Sequence, residues 1–304
     1  MFPSFLAALF FALNATCANH SVRALGPVRA NIGRLIIAAL LLGAFAHTIG
    51  GGFTSASVPW FVASGVIGMG LGDLGVYAAL PLLGSRLTVL MTQCLAAPLA
   101  ALGEWLWLGT PLTAAQIAWG ALILAGVAIA IMPGRANPAR VAVRPVGFVF
   151  GFVAACGQGF GALVSRKGGN VAEAAGEAAR NATFGLTAAY QRIFAGLIFV
   201  VIWFAVLRVI GRLPAAPAAL APSDRRASNL WMLANGLAGP VLGVGCYQWA
   251  LATTPGGIVL PIAATAPLLS IPIAFWLEGD RPPRRAIIGG VLAVAGCVAL
   301  TVAR

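Results

Sequence analysis

The sequence predicts an all-α integral membrane protein with ten transmembrane helices, arranged as two inverted repeats of five helices each. The chain has 304 residues, of which 60% are hydrophobic and 9% are charged, whereas soluble proteins carry about 25% charged residues. A water-soluble fold of this size could not bury so much apolar surface, but a bilayer can solvate it. Ten apolar stretches and an internal similarity between the two halves are the other observations that favour this fold class.

The ten predicted spans each have close to the number of residues that a helix needs to cross a bilayer, about 20. They cover residues 3–20, 32–49, 58–77, 86–108, 114–132, 146–165, 190–209, 229–251, 257–277 and 285–302. The first span follows no basic segment and ends in no clear cleavage site, so a membrane helix is expected there rather than a signal peptide. Pro98 and Pro267, in the fourth and ninth spans, are expected to bend or break their helices because proline has no backbone N–H.

Two polar segments separate groups of spans. Residues 133–145 contain three arginines and three prolines and form the expected linker between a first repeat, residues 1–132, and a second, residues 146–304. Residues 168–182 are polar and rich in alanine, which predicts a surface helix or loop between the sixth and seventh spans.

The second half of the chain repeats part of the first. Residues 63–80 and 234–251 align without gaps at an offset of 171 and share seven identical residues, all of them glycine, alanine or leucine. Weak internal symmetry of this kind is typical of secondary transporters. Because each repeat has an odd number of spans, the second enters the membrane from the opposite side, and the two repeats are therefore inverted.

The formal net charge of +12 is unusual for so apolar a chain. The basic residues lie mainly in loops between apolar stretches, where they anchor and orient a membrane protein, so nucleic-acid binding is not expected. Most follow odd-numbered spans, and the positive-inside rule then places both termini outside the cytoplasm. The composition, rich in Ala, Gly and Arg, is typical of a high-GC bacterium, so the inner membrane is the expected location.

The chain offers few residues for metal or cofactor chemistry. Its five cysteines are far apart in apolar stretches, and its two histidines form no motif. No pair has the spacing of metal ligands, and the sequence contains no Walker motif or Gly-rich phosphate loop. We therefore expect neither a metal nor another cofactor.

Several short motifs follow one another along the chain. They are Gly72-Asp73-Leu74 with Tyr77, Pro98-Leu99, Gln116 with Gly120 and Gly126, Tyr247-Gln248-Trp249, Pro267-Leu268 and Gly289-Gly290. With the ten spans, this order resembles the drug/metabolite transporter superfamily in its EamA-type branch, over essentially the whole chain. Members often have a glutamate after the fourth and ninth spans, where this chain has Thr110 and Asp280. The resemblance implies transport of amino acids, drugs or other metabolites without specifying the cargo.

Polar side chains within the spans are the candidate substrate-binding residues, because polar groups are costly in lipid. The candidates are Asn14, Tyr77, Gln93, Gln158, Tyr247 and Gln248. Asn14 and Gln158 occupy comparable positions in the first spans of the two repeats, where an amide can bind a polar substrate or join helices. Gln93 precedes the proline of the fourth span, and the two tyrosines suit either a cavity wall or the membrane interface.

Three charged residues have less specific interpretations. Asp73 and Arg86 flank the turn between the third and fourth spans, so they are candidates for a gate or for proton coupling, with a structural ion pair as the alternative. Glu104 lies between aromatic residues in the motif Glu104-Trp105-Leu106-Trp107, which is typical of the membrane interface.

Taken together, these features predict a secondary transporter that exports small polar metabolites, such as amino acids, by alternating access. Its expected partners are a small-molecule substrate and the lipid bilayer, with proton antiport and simple facilitation both open, and the chain is expected to be a monomer or a homodimer. A non-transporting assembly or sensor subunit is one alternative. A lipid-modifying membrane enzyme is another, but it would need a cluster of carboxylates, histidines or metal ligands.

Overall fold

The computed structural model describes residues 1–25, 27–132, 143–211, 222–278 and 284–302, and these residues form helices, turns and no strands. The α-helices are α1 (Phe2–Leu25), α2 (Pro27–Thr48), α3 (Val58–Gly65), α4 (Asp73–Gly103), α5 (Ala114–Ile131), α6 (Val146–Ala174), α7 (Ala182–Val209), α8 (Pro222–Gly236), α9 (Val244–Thr253), α10 (Gly256–Ala263), α11 (Ala266–Glu278) and α12 (Arg284–Val302). Three π-helical segments, Val66–Gly72, Glu104–Leu108 and Leu237–Gly243, continue α3, α4 and α8. Most of the linker predicted over residues 133–145 lies outside the described residues.

Seven helical runs in the described part of the chain are long and apolar enough to cross a membrane. They are Arg29–Thr48, Val58–Gly84, Leu87–Leu108, Ala114–Ile131, Val146–Ala174, Ala182–Val209 and Arg226–Thr253, and two shorter apolar stretches cover Phe2–Ala18 and Gly256–Pro272. The protein is therefore an integral membrane protein with several spans.

Large apolar side chains cover the outside of the bundle, and small residues fill much of its interior. Leu40, Leu106 and Val209 are among the many exposed aliphatic residues, whereas alanines such as Ala8, Ala100 and Ala155 are completely buried. Helices in lipid associate through close packing rather than through the hydrophobic effect, which favours small residues where they meet.

The contact between α6 and the first π-helical segment, which leads into α4, shows how close this packing is. The α-carbons of Gly72 and Gly157 face each other, and a Cβ atom built on Gly157 would collide with the Gly72 backbone. The pair α5 and α12 meets in a similar way, because a Cβ atom on Gly126 would lie 2.6 Å from the carbonyl oxygen of Gly289. Glycine at these positions lets the helix backbones touch.

Two of the π-helical segments lie at equivalent places in the two halves. Val66–Gly72 and Leu237–Gly243 each contain seven residues and are separated by the offset of 171 that relates the aligned sequences. Both are rich in glycine, and Pro240 in the second has no N–H for an α-helical hydrogen bond. The wider π-helical turn thus recurs where the sequence repeats.

The helix break expected at Pro98 lies at another residue in the structure. The helix continues through Pro98, and the break in this run lies at Gly84, whose φ of 77° is accessible mainly to glycine. A proline can remain in a helix at the loss of one hydrogen bond, because its fixed φ is itself helical. Pro267 lies in the first turn of α11, directly after the break at Ala264 and Thr265, where its missing N–H costs little.

The polar segment 168–182 also differs from the prediction of a separate surface element. Helix α6 continues to Ala174, with Gly168, Gly169 and Ala172 buried in the bundle. A short loop follows, and the Asn181 side chain then caps α7 by accepting a hydrogen bond of 2.8 Å from the Phe184 amide.

Candidate functional site

A polar cavity of about 410 Å³ lies between helices of both halves of the chain. Its polar lining residues are Asn14, Arg34, Asp73, Gln93, Gln158, Arg192, Tyr247 and Ser270. Its apolar walls include Phe11, Met69, Val89 and Leu260. Polar groups gathered inside a membrane-spanning bundle mark a solute pathway by default.

Arg192 projects from α7 and is the most deeply buried charged group in the cavity, with 3% of its surface exposed. Its Nη1 atom lies 3.4 Å from the Ser165 hydroxyl oxygen, a long hydrogen bond, and its Cζ atom lies 5.9 Å from the centre of the Tyr247 ring. Its Nε atom has no hydrogen-bond partner among the described residues. Gly68 leaves the space that the guanidinium occupies, since a Cβ atom there would collide with Nη2.

Arg34 and Asp73 are the other charged groups of the cavity. Arg34 projects from α2 and donates a hydrogen bond of 2.8 Å from Nε to the Asn31 side-chain oxygen. Asp73 follows the first π-helical segment and begins α4. Within the described part of the chain, the Asp73 carboxylate forms neither an ion pair nor a hydrogen bond.

Three amide side chains line the same cavity from different helices. They are Asn14 on α1, Gln93 on α4 and Gln158 on α6. Asn14 packs against Gly239 of the third π-helical segment, and its buried Oδ1 atom has no hydrogen-bond partner among the described residues. One hydrogen-bond acceptor among the three amides is therefore unused in the described part of the chain.

The remaining candidates from the sequence have different positions. Tyr247 lines the cavity beside Arg192, whereas Gln248 is 1% exposed, does not line the cavity and has no partner for its amide atoms among the described residues. The side chains of Tyr77 and Arg86 lie outside the described residues. Pro267 borders the cavity, but Pro98 borders a separate apolar groove of about 480 Å³ between α4, α5 and α10.

Arg34 and Arg192 line the cavity but are not among the candidates that the sequence indicates. A seventh span that begins at residue 190, as the sequence predicts, puts Arg192 at a membrane surface. Helix α7 begins at Ala182, so Arg192 lies almost three turns inside it. The signal that would have found it is the apolar character of residues 182–189, which extends the span upstream of the arginine.

Hydrogen bonds join the two halves at the end of the bundle opposite Gly84. Ser55 donates to the Glu177 carboxylate at 2.7 and 2.8 Å, and the Ala56 amide donates to the same carboxylate at 3.2 Å. Gln191 donates from Nε2 to the Gly52 carbonyl oxygen at 2.7 Å. The cavity extends toward the opposite end of the bundle, the end at Gly84. It is lined there by Val89, which follows Gly84 along α4 by about one turn of helix.

Glu104 belongs to this set of contacts and not to the membrane interface. It is 1% exposed, and both carboxylate oxygens accept from the Gly256 amide, at 2.8 and 2.9 Å. Gly256 is the first residue of α10, so the carboxylate caps that helix and offsets its positive end. The short helix in the second half is thereby tied to the π-helical segment that follows α4 in the first.

Comparisons with known proteins agree with this architecture. The sequence model of the EamA-like transporter family matches residues 2–132 and again residues 146–302. A crystal structure described only as "Crystal structure of protein" superposes with a TM-score of 0.75, covers 99% of this chain and 96% of its own, and is 18% identical, which supports the fold alone. No curated protein matches the sequence significantly.

Proposed function

Because this chain belongs to the EamA-like transporter family, and so to the drug/metabolite transporter superfamily, we propose that it is a secondary transporter that exports small polar metabolites such as amino acids. The observation that carries this proposal is the polar cavity, since an apolar bundle has placed eight polar or charged side chains around one interior space. Polar groups at that depth are costly unless they serve a solute or each other.

The proposed architecture is ten spans in two inverted repeats, over residues 1–132 and 146–304 with a linker between them. The seven long apolar runs, the two shorter apolar stretches and α12 support this number, because together they are ten helical segments. The paired π-helical segments and the two matches to the family support the duplication. Both halves line the cavity, as expected for a site at the interface between repeats.

Alternating access would operate by exchanging which end of the cavity is closed. The hydrogen bonds at Glu177, Gln191 and Glu104 hold one end together and link the first half to the second. The cavity extends toward the end that bears the Arg-rich loops, which the positive-inside rule assigns to the cytoplasm. A cavity loaded from the cytoplasm suits export across the inner membrane, with both termini on the other side.

Asp73 is the proposed coupling or gating group, because it is the one carboxylate among the described cavity residues. If it carries the coupling proton, Asp73→Asn keeps exchange of substrate across a liposome membrane but loses accumulation driven by a pH gradient. Both rates are measured in the same proteoliposomes. Equal loss of exchange and accumulation would assign Asp73 to substrate binding or structure instead.

The export function is tested by comparing metabolites outside cells that express the wild type, an Asn14→Ala/Gln158→Ala variant, an Asn170→Ala control or an empty vector. Asn170 is an amide on α6 that does not line the cavity, so its replacement should leave export intact. We expect a small set of polar metabolites to rise outside cells with the wild type and the control alone. Membrane abundance of each variant is matched by immunoblot.

Two other outcomes would change the proposal. Equal enrichment by the wild type and the double variant would remove the two amides from the site while keeping transport. No difference between the wild type and the empty vector across many growth conditions would contradict export and favour a non-transporting assembly or sensor subunit.

A further inference from the structure

We propose that the cavity selects small organic carboxylates of net charge −1, held by the Arg192 guanidinium with Arg34 as a second cation. This inference rests on the proposed transport function and adds the chemical class of the cargo. Its basis is the presence of two arginines, Arg34 and Arg192, in the lining of the cavity.

The Arg192 side chain lines the cavity and has unused hydrogen-bonding capacity. A guanidinium carries five N–H donors and no acceptor. In the described structure Arg192 makes one long hydrogen bond to Ser165, lies beside the Tyr247 ring and interacts electrostatically with Asp73. Its buried Nε is unpartnered. Buried arginines are normally paired with an anion or bonded to carbonyl groups, because an isolated charge is costly inside a membrane.

The neighbouring carboxylate of Asp73 interacts electrostatically with both arginines but does not bind either of them directly. Asp73 lines the same cavity but forms no ion pair with Arg192 or Arg34. Two cations and one carboxylate give the described cavity residues a formal charge of +1 when all three are ionised. A solute of net charge −1 neutralises this excess, whereas a cationic solute increases it.

Geometry and size point to a carboxylate in particular. The planar fork of a guanidinium matches the two oxygens of a carboxylate and forms paired, charge-assisted hydrogen bonds with it. The amides of Asn14, Gln93 and Gln158 add donors and acceptors that suit hydroxyl, amino or second carboxyl groups on the same solute. A space of about 410 Å³ is sufficient for a small metabolite.

The test compares pairs of solutes that differ in charge more than in size. Purified full-length protein in proteoliposomes is assayed for uptake of L-glutamate against L-glutamine, and of gluconate against glucose, with L-lysine as a cationic probe. We expect the anion of each pair to be transported about 10- to 100-fold faster at low concentration, since a charge-assisted hydrogen bond contributes about that factor. L-Glutamate and gluconate together separate acidic amino acids from hydroxy acids.

Variants of Arg192 test whether this residue causes the preference for anionic solutes. Arg192→Gln should remove the preference for the anion, and Arg192→Lys should restore part of it. Arg208→Gln is the matched control, because Arg208 is exposed in the last turn of the same helix. Arg34→Gln, at a half-buried position, gives a second measurement should Arg192→Gln elute as aggregate on size exclusion.

Each outcome decides the proposal. Preference for the anions in the wild type, lost in Arg192→Gln or reduced in Arg34→Gln, supports it. Faster transport of the neutral or cationic solutes overturns the carboxylate class while leaving transport established. Uptake of none of the probes by a protein that exports metabolites from cells also overturns it, whereas failure of both assays contradicts the proposed function itself.

Discussion

Glu104 and Arg192 are the most deeply buried charged side chains in the described part of the chain. They differ in how their charge is satisfied. Glu104 accepts from the backbone at the start of α10, while Arg192 retains an unpartnered Nε at the cavity. The carboxylate therefore caps α10, whereas the guanidinium keeps a donor without a partner among the described residues.

Replacing Glu104 with Gln should lower the free energy of unfolding by about 1 kcal/mol, because the charge at the positive end of α10 is lost while one acceptor oxygen remains. The change is measured as a lower melting temperature in detergent. Glu173→Gln is the control, since that acid pairs with Arg180 on the surface and should have little effect. Equal melting of all three proteins would show that the cap contributes no stability.

At the residue scale, the sequence indicates the type of side chain in the site better than its orientation. Polar residues are rare in the spans, so each one is easily identified in the sequence. Four of those identified line the same cavity: Asn14, Gln93, Gln158 and Tyr247. Adjacent helical residues point about 100° apart, so sequence alone could not separate Tyr247 from the buried Gln248.

Among the helices, backbone contact through glycine is the main feature of packing. Gly157→Ala should destabilise the protein by about 1–3 kcal/mol, since the new methyl group would overlap the Gly72 backbone in a contact that is already closed. Thermal unfolding in detergent gives the difference. Gly157→Ala should also reduce transport, because the next residue on the same helix is Gln158, which lines the cavity.

Gly290→Ala is the control for this prediction. Nothing lies within 4 Å of a Cβ atom built at Gly290 on α12, so alanine should keep or slightly raise stability through its higher helix propensity. Equal melting of the two variants would show that the contact between Gly72 and Gly157 relaxes without cost.

The order of the helices was predictable because the spans are separated by turns with clear proline and glycine signals. The ends of the helices were not predictable, and those ends determine which side chains line the cavity. Gly84 breaks the run after α3 although Pro98 is the stronger sequence signal, because backbone φ depends on the path that packing requires. The early start of α7 likewise depends on the Asn181 cap.

For the whole molecule, the proposed inversion makes a prediction about sidedness. Alkaline phosphatase and green fluorescent protein are each placed in turn after Gly176, after Arg304 and within residues 133–142. The phosphatase should be active outside the cytoplasm at the first two sites, and the fluorescent protein should fluoresce inside it at the third. Both results follow from five spans per repeat and Arg-rich loops on the cytoplasmic side. Enzyme activity and whole-cell fluorescence are measured against expression level.

Fluorescence at Arg304 together with phosphatase activity at Gly176 would contradict ten spans, because the two sites would then lie on opposite sides. Phosphatase activity within residues 133–142 would reverse the orientation of the whole chain. Export would then have to load from the end held closed at Glu177.

The paired π-helical segments, Val66–Gly72 and Leu237–Gly243, have a mechanical consequence. A π-helical turn accommodates about one residue more than an α-helical turn. Winding either segment into α-helix would rotate everything after it by about 100° about the helix axis. Asp73 follows the first segment directly, and Tyr247 follows the second by four residues. In the proposed transport cycle, such a change in either half would turn the cavity residue that follows the segment toward the solute or away from it.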